Sequence, residues 1–197
     1  MKLLARNFEC HPIGAPACAL LAPLVKELGE VPFTGRVGEK NSGQCDSDLD
    51  DCLASRFSMI KGVAKKEIGM PKIQKKFDFS FAFKGRSVVV EVEKANWEKV
   101  LYDFLKAHMH FVSGADFVVV FVPKNYVHSG KSPMKSFHHA RKRYDHCVEY
   151  GFGSRENLGK ILLVGYEVAV QDGRLFTPAL RKRFIDQARK ARMDATK

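Results

Sequence analysis

Residues 77–94 read Phe77-Asp78-Phe79-Ser80-Phe81-Ala82-Phe83-Lys84-Gly85-Arg86-Ser87-Val88-Val89-Val90-Glu91-Val92-Glu93-Lys94. The first half alternates aromatic with small or polar side chains, the period of a strand, and the second half is rich in β-branched residues. Lys84-Gly85 divides them, and Gly supplies the positive φ that a two-residue hairpin turn requires. If Phe83 pairs with Arg86, Asp78 falls opposite Glu91, and Glu93 shares their face because side chains alternate along a strand. Like charges opposed on a sheet repel, so this hairpin is expected to hold a cation between its arms.

The segments around the hairpin extend it into a mixed sheet. Trp97, Val100, Leu101, Phe104, Leu105, His108, Phe111 and Val112 recur at helical spacing after a plausible cap at Asn96, and Ser113-Gly114 closes that helix. Asp116 to Pro123 is a continuous apolar run, the pattern of a strand buried on both faces. Strand, helix, strand in this order implies a parallel crossover. Further helices are expected over residues 15–29 (with Pro23 breaking or kinking it), 48–62, 134–150 and from Thr177-Pro178 onward, and a further strand over 160–170. Residues 33–47 read as irregular. The fold class expected is therefore α/β: a mixed central sheet flanked by helices, in a single domain spanning 1–197.

Composition narrows the function. No run of about 18 apolar residues exists to span a membrane, and Met1-Lys2-Leu3-Leu4-Ala5-Arg6 lacks the apolar core of a signal peptide. A cytoplasmic location is expected. The 5 cysteines form no CxxC zinc pattern and read as free thiols. Net charge is +11, and the excess is clustered. Residues 61–76 hold 6 Lys and 1 Glu, residues 124–157 hold 7 Lys or Arg against 3 acids, and residues 174–197 hold 8 against 2. Clustered basic charge is the electrostatic footprint of a nucleic-acid partner.

Asp78 and Glu91 suit Mg²⁺, a hard cation typically held by one or two carboxylates plus water and phosphate oxygens. Such an ion polarises a phosphate and lowers the pKa of a bound water. Glu93, about 7 Å along the strand from Glu91, is placed to orient or deprotonate that water, or to hold a second ion.

Asp78 followed by Glu91-Val92-Glu93 resembles the PD-(D/E)xK nuclease superfamily, with its Asp on one strand and its Glu-x-Lys on the next. Phe77 stands where that pattern has Pro, and Glu93 stands where it has Lys. Lys94 points to the other sheet face and is not assigned the lysine's role. Val90-Glu91-Val92-Glu93, the helix sequence Leu101-Tyr102-Asp103-Phe104-Leu105-Lys106-Ala107-His108-Met109-His110-Phe111-Val112-Ser113 and the Val-rich strand ending at Pro123 narrow the resemblance to the BglII/BstYI-type restriction endonucleases, over about residues 48–168. The resemblance implies a restriction-endonuclease-like fold with that catalytic core and a basic C-terminal helix over 174–197. It also implies a homodimeric, Mg²⁺-dependent enzyme of a restriction-modification system that hydrolyses phosphodiesters at a short palindromic double-stranded DNA site, with Asp78 and Glu91 as metal ligands and Glu93 as a third catalytic residue. A helix carboxylate near the metal would be Asp50 or Asp51, although first-turn acids favoured by the helix dipole explain both equally.

The segment after the motif strand would meet DNA. Asn125, Lys131, Lys135, His138, His139, Arg141, Arg143, Arg155 and Asn157 have the chemistry for base edges and phosphates. His108 is expected in the core, and neither His108-Met109-His110 nor His138-His139 is read as a metal site. Rival functions are a repair or structure-specific DNA nuclease of the same superfamily, a DNA-binding protein that keeps the fold without cleaving, and an RNA-directed nuclease or toxin.

Overall fold

Lys84 and Gly85 both take positive φ, +49° and +74°, the geometry that matches a tight turn to the twist of its strands. Around them β5 (Phe79–Phe83) and β6 (Arg86–Val92) pair in the expected register, from Phe83↔Arg86 to Phe79↔Val90. The structure is a computed structural model and describes residues 1–37, 45–66, 68, 77–94, 99–125, 127 and 135–195. The expected cap Asn96, core residue Trp97, the DNA-contact residue Lys131 and most of the lysine-rich 61–76 stretch lie outside the described residues.

The hairpin forms one side of an eight-stranded sheet. In chain order the elements are β1 (Lys2–His11), α1 (Pro16–Lys26), β2 (Val31–Val37), β3 (Cys45–Ser47), α2 (Leu49–Ser58), β4 (Val63–Lys65), β5, β6, α3 (Lys99–Val112), β7 (Phe117–Pro123), α4 (Ser136–Glu149), α5 (Arg155–Leu158), β8 (Ile161–Val170) and α6 (Pro178–Ala195). The strand order is β3-β2-β1-β8-β7-β6-β5-β4. β6, β7 and β8 run parallel, as the strand-helix-strand pattern requires, and the flanking pairs are antiparallel.

Each face of the sheet carries its own core. Val88, Val90, Phe121 and Val164 pack with Leu21 and Leu24 of α1 and with Leu49, Leu53 and Phe57 of α2. Val89, Val118, Val120 and Leu163 pack with Val100, Phe104 and Ala107 of α3 and Phe137, Ala140 and Tyr144 of α4. Glu91 and Glu93, two and four residues beyond Val89, belong to the α3 and α4 face.

Three corrections follow from the structure. First, β2 and β3 are strands in a stretch, 33–47, that reads as irregular, and β1 is a further strand for which no element was assigned from sequence. β1 is rich in Leu, Ala and Arg, which favour helix, and β2 contains Pro32 and Gly35, which weaken strand patterns. Pairing of β1 with β8, and of β2 with β1, overrides these preferences. Second, Pro23 sits inside α1 without ending it. Third, Leu101, Leu105 and Val112, expected in the core, are 37%, 47% and 88% exposed. Val100 and Phe104 of the expected stripe are buried, but the inward face is rotated toward Asp103, Lys106, Ala107 and His110. Among the described residues no helix is long and apolar enough to cross a membrane, and Cys10, Cys18, Cys52 and Cys147 are free thiols.

Candidate active site

Regular pairing of the hairpin stops at Phe79↔Val90, one residue short of the expected Asp78/Glu91 pair. The amide of Asp78 donates to Val90 O at 3.2 Å. The amide of Val92 donates to Asp78 Oδ2 at 2.6 Å. The Asp78 carboxylate thus takes the place of a ladder carbonyl, and this fixes it against the end of β6. Burial, reinforced by the Glu91 charge and opposed by the Val92 amide, raises the Asp78 pKa.

Glu93 lies just past the end of β6, yet its backbone is held from both sides. Its amide donates to Phe121 O at 2.8 Å, and its carbonyl accepts from Tyr166 Oη at 3.0 Å. Glu91 is 5% exposed and Glu93 8%. Carboxylates are rarely buried to this degree without partners, and α3 supplies the partners.

α3 brings three polar side chains to the sheet, none of them assigned a role from sequence. Lys106 Nζ forms an ion pair with Glu91 Oε1. His110 Nε2 lies 3.2 Å from the same oxygen, and its ring meets the edge of Phe77. Asp103 is hydrogen-bonded to Glu93. Burial, then the Glu93 and Glu91 charges, push the Asp103 carboxyl up to about 8, and Glu93 is raised chiefly by burial against the pull of Lys99. The second oxygen of Asp103, Oδ2, has no hydrogen-bond partner among the described residues.

Only the spacing of these three shows in the sequence. Positions 103, 106 and 110 are spaced i, i+3, i+7 and share one helix face with Val100, Phe104 and Ala107. The inward face is part apolar and part polar, so an apolar stripe finds Val100 and Phe104 but misses Asp103, Lys106 and His110. His108 is not in the core either. Its Nδ1 lies 3.0 Å from Phe104 O, and its ring lies so close to Gly153 that a Cβ there would meet Nε2 at 2.9 Å.

Of the two helix acids, Asp50 is half-buried and acts on Asp78 through its charge, and Asp51 is exposed. Lys94, on the opposite sheet face as expected, donates to Asp50 Oδ1 at 2.7 Å and to Ser47 O at 2.7 Å. Both charges act on Asp78. Asp51 faces a surface hollow with Cys52, Ser55 and Met59.

The expected DNA-contact residues divide by their place on the sheet. Lys135, His138, His139 and Arg141 lie at or near the start of α4, which follows the carboxyl end of β7, on the same side as Asp78, Glu91 and Glu93; all four are exposed. Arg141 pairs with Glu9 at 3.1 Å, and Lys124 pairs with the same acid at 3.0 Å. Arg143 is half-buried farther along α4. Asn125 is committed to structure: its Nδ2 donates to Val168 O at 2.9 Å and its Oδ1 accepts from Val168 N at 2.7 Å. Arg155 and Asn157 belong to α5, which immediately precedes β8 and so lies at the amino end of the parallel strands, opposite the carboxylates. Ligands of open α/β sheets sit outside the carboxyl ends, which separates these two from the site.

The sheet, its flanking helices and the acidic cluster at the carboxyl end of β6 together define a restriction-endonuclease-like fold. The chain is similar to the crystal structure of restriction endonuclease BglII complexed with a DNA 16-mer, with a TM-score of 0.52 and 17% sequence identity over 84% of this chain and 76% of that one. No family model matches the sequence, and no curated protein matches it.

Proposed function

We propose that this chain is a divalent-cation-dependent endonuclease that hydrolyses phosphodiester bonds at a short palindromic site in double-stranded DNA. The observation that carries the reading is that Asp78, exposed at the end of the hairpin, stands close enough to the buried Glu91 and Glu93 for their charges to act on one another at the carboxyl end of a restriction-endonuclease-like sheet. The fold's similarity to BglII bound to DNA supports the substrate class, and the net charge of +11 supports a polyanionic partner.

The residues fit Mg²⁺. Acids are crowded until burial and mutual repulsion raise Asp78, Glu93 and Asp103, an ammonium group already stands against Glu91, and Asp103 Oδ2 is buried without a partner. No three His, Cys, Asp or Glu side chains among the described residues enclose an ion by themselves. The protein's share is therefore two carboxylates, Asp78 and Glu91, which is what Mg²⁺ usually takes from a protein. The bound ion supplies Lewis-acid polarisation of the phosphate and a more acidic water. Asp78 and Glu91 bind it, the Val92 amide and the α3 side chains hold those carboxylates in place, and Glu93, tied to Asp103, orients water or carries its proton. Lys135, His138, His139 and Arg141 contact DNA beside the cut.

Cutting both strands of a palindrome calls for two centres related by a two-fold axis. Leu101, Leu105 and Val112 on the outer face of α3, with Tyr150 and Phe152 nearby, expose an apolar patch of the kind that marks a protein interface. This supports a homodimer joined through the helix whose inner face serves the site.

Incubation with plasmid DNA of known sequence tests the reading. Reproducible discrete fragments are expected with Mg²⁺, none with chelator, and none from Asp78→Asn even though it still binds DNA. No cleavage by the wild-type chain across metals and DNA substrates would remove the reading in favour of a fold-retaining DNA-binding protein. Nicking confined to branched or damaged DNA would favour a repair nuclease.

A further inference from the structure

Lys106 is a buried lysine: its side chain is 9% exposed, and the carboxylate it meets, Glu91, is 7% exposed. Three buried acids, Glu91, Glu93 and Asp103, stand together, with the exposed Asp78 close enough for its charge to act on Glu91 and Glu93, and Lys106 is the ammonium set directly against Glu91. Tyr102, one turn earlier on α3, backs it with a ring face 5.9 Å from Nζ. His110 approaches the same oxygen, Glu91 Oε1, from one turn farther along. Lys94, the lysine that the strand itself supplies, is committed to Asp50 and Ser47 O on the other face.

We propose that Lys106 is a positioning residue that occupies the cation's place on Glu91 and yields it to a divalent ion, so that metal uptake by this protein is an exchange of one bound charge for another. The inference rests on the reading of Asp78 and Glu91 as metal ligands. Removing both the ion and the ammonium would leave the Glu91 carboxylate buried beside two other buried acids, Glu93 and Asp103, an arrangement whose repulsion is poorly screened by solvent. The ammonium holds Glu91 in its working rotamer until an ion arrives. An ion and an ammonium cannot share Oε1 without strong repulsion at this separation and burial, so the long, flexible lysine stem moves aside while Glu91 stays.

This predicts a sign that a purely structural bridge does not. Calcium titrated calorimetrically into the full chain without DNA, at fixed pH and ionic strength, is expected to bind Lys106→Met about tenfold more tightly than wild type, because the competitor is gone; Lys106→Arg should stay near wild type. A bridge that only maintains structure would make Lys106→Met bind calcium more weakly. The second measurement uses wild-type protein and needs no variant to fold. Lysine acetylation mapped by mass spectrometry should rise several-fold at Lys106 when calcium saturates the protein, with Lys94 as an internal comparison. Calcium binding to Lys106→Met that is equal to or weaker than wild type, unchanged Lys106 labelling at saturation, or no saturable calcium binding by wild type would each overturn the exchange. Cleavage of plasmid by wild type alongside such a result removes the exchange and leaves the nuclease reading standing.

Discussion

Asp103 shows how burial turns an ordinary residue type into a pH-sensitive one. It is 2% exposed, faces Glu93, and its carboxyl is pushed up to about 8. A carboxyl whose pKa is raised by folding holds its proton in the native state over a pH range where the unfolded chain has lost it. Stability therefore falls as pH climbs from the ordinary Asp range toward about 8 and levels off above that. Asp103→Asn keeps the shape and removes the charge. Between about pH 5 and pH 9 the wild-type chain is expected to lose on the order of 3 kcal/mol more stability than Asp103→Asn. Urea unfolding at the two pH values checks it, and parallel pH slopes for the two proteins would count against the assignment. Asp78 makes a related point. One of its oxygens replaces a backbone acceptor, so Asp78→Asn is expected to keep the fold, through its amide oxygen, while losing cleavage; a thermal melt alongside the plasmid assay separates the two effects.

Among the elements, α4 depends on a missing side chain. Gly165 lies in the middle of β8, and a Cβ built there would stand 2.5 Å from the Phe137 ring. Phe137 is 4% exposed and seats the first turn of α4 on the sheet. Lys124 and Arg141 lie over the same ring, at 6.0 Å and 5.8 Å from its centre. Gly165→Ala must lift the ring or shift the strand, an overpacking change that costs about 1–3 kcal/mol. Because Lys135, His138, His139 and Arg141 ride on that end of α4, DNA affinity should fall together with the urea midpoint. A variant with wild-type midpoint and wild-type affinity would show that α4 is not anchored here. α3 shows the complementary design: its inward side carries Asp103, Lys106 and His110 beside Phe104 and Ala107, and its outward side carries Leu101, Leu105 and Val112.

At the scale of the whole molecule, two copies each bearing +11 repel one another. An interface must therefore form where charge is sparse, and the outer face of α3 is such a place. Leu105→Asp puts a carboxylate at the centre of that patch without touching the inward face. Sedimentation is expected to shift from a dimer to a chain of 22.2 kDa, and plasmid cutting should change from linear product to single-strand nicks. Unchanged sedimentation would move the interface to another surface. For the proposed DNA partner, the same charge is expected to make the affinity fall steeply with salt.

The hairpin, its turn, its register, the parallel crossover and the mixed sheet were all legible in residues 77–123, because period-two alternation, a Gly at a two-residue turn and a continuous Val run are local signals with few alternative readings. Glu91 was placed by strand alternation within β6, whereas Asp78 and Glu93 lie just beyond the ends of β5 and β6, where hydrogen bonds to Val90, Val92, Phe121 and Tyr166 fix them. The partners of those acids were not legible. Which side of α3 turns inward depends on what the sheet offers it, and a sheet face bearing buried carboxylates rewards Lys106 and His110 over Leu101 and Leu105. Arg155 and Asn157 are near Arg143 in sequence yet lie at the far end of the parallel strands, and Asn125 is bound to the backbone of β8. Chain order records composition, but only the direction of each strand decides which basic residues stand beside the acids.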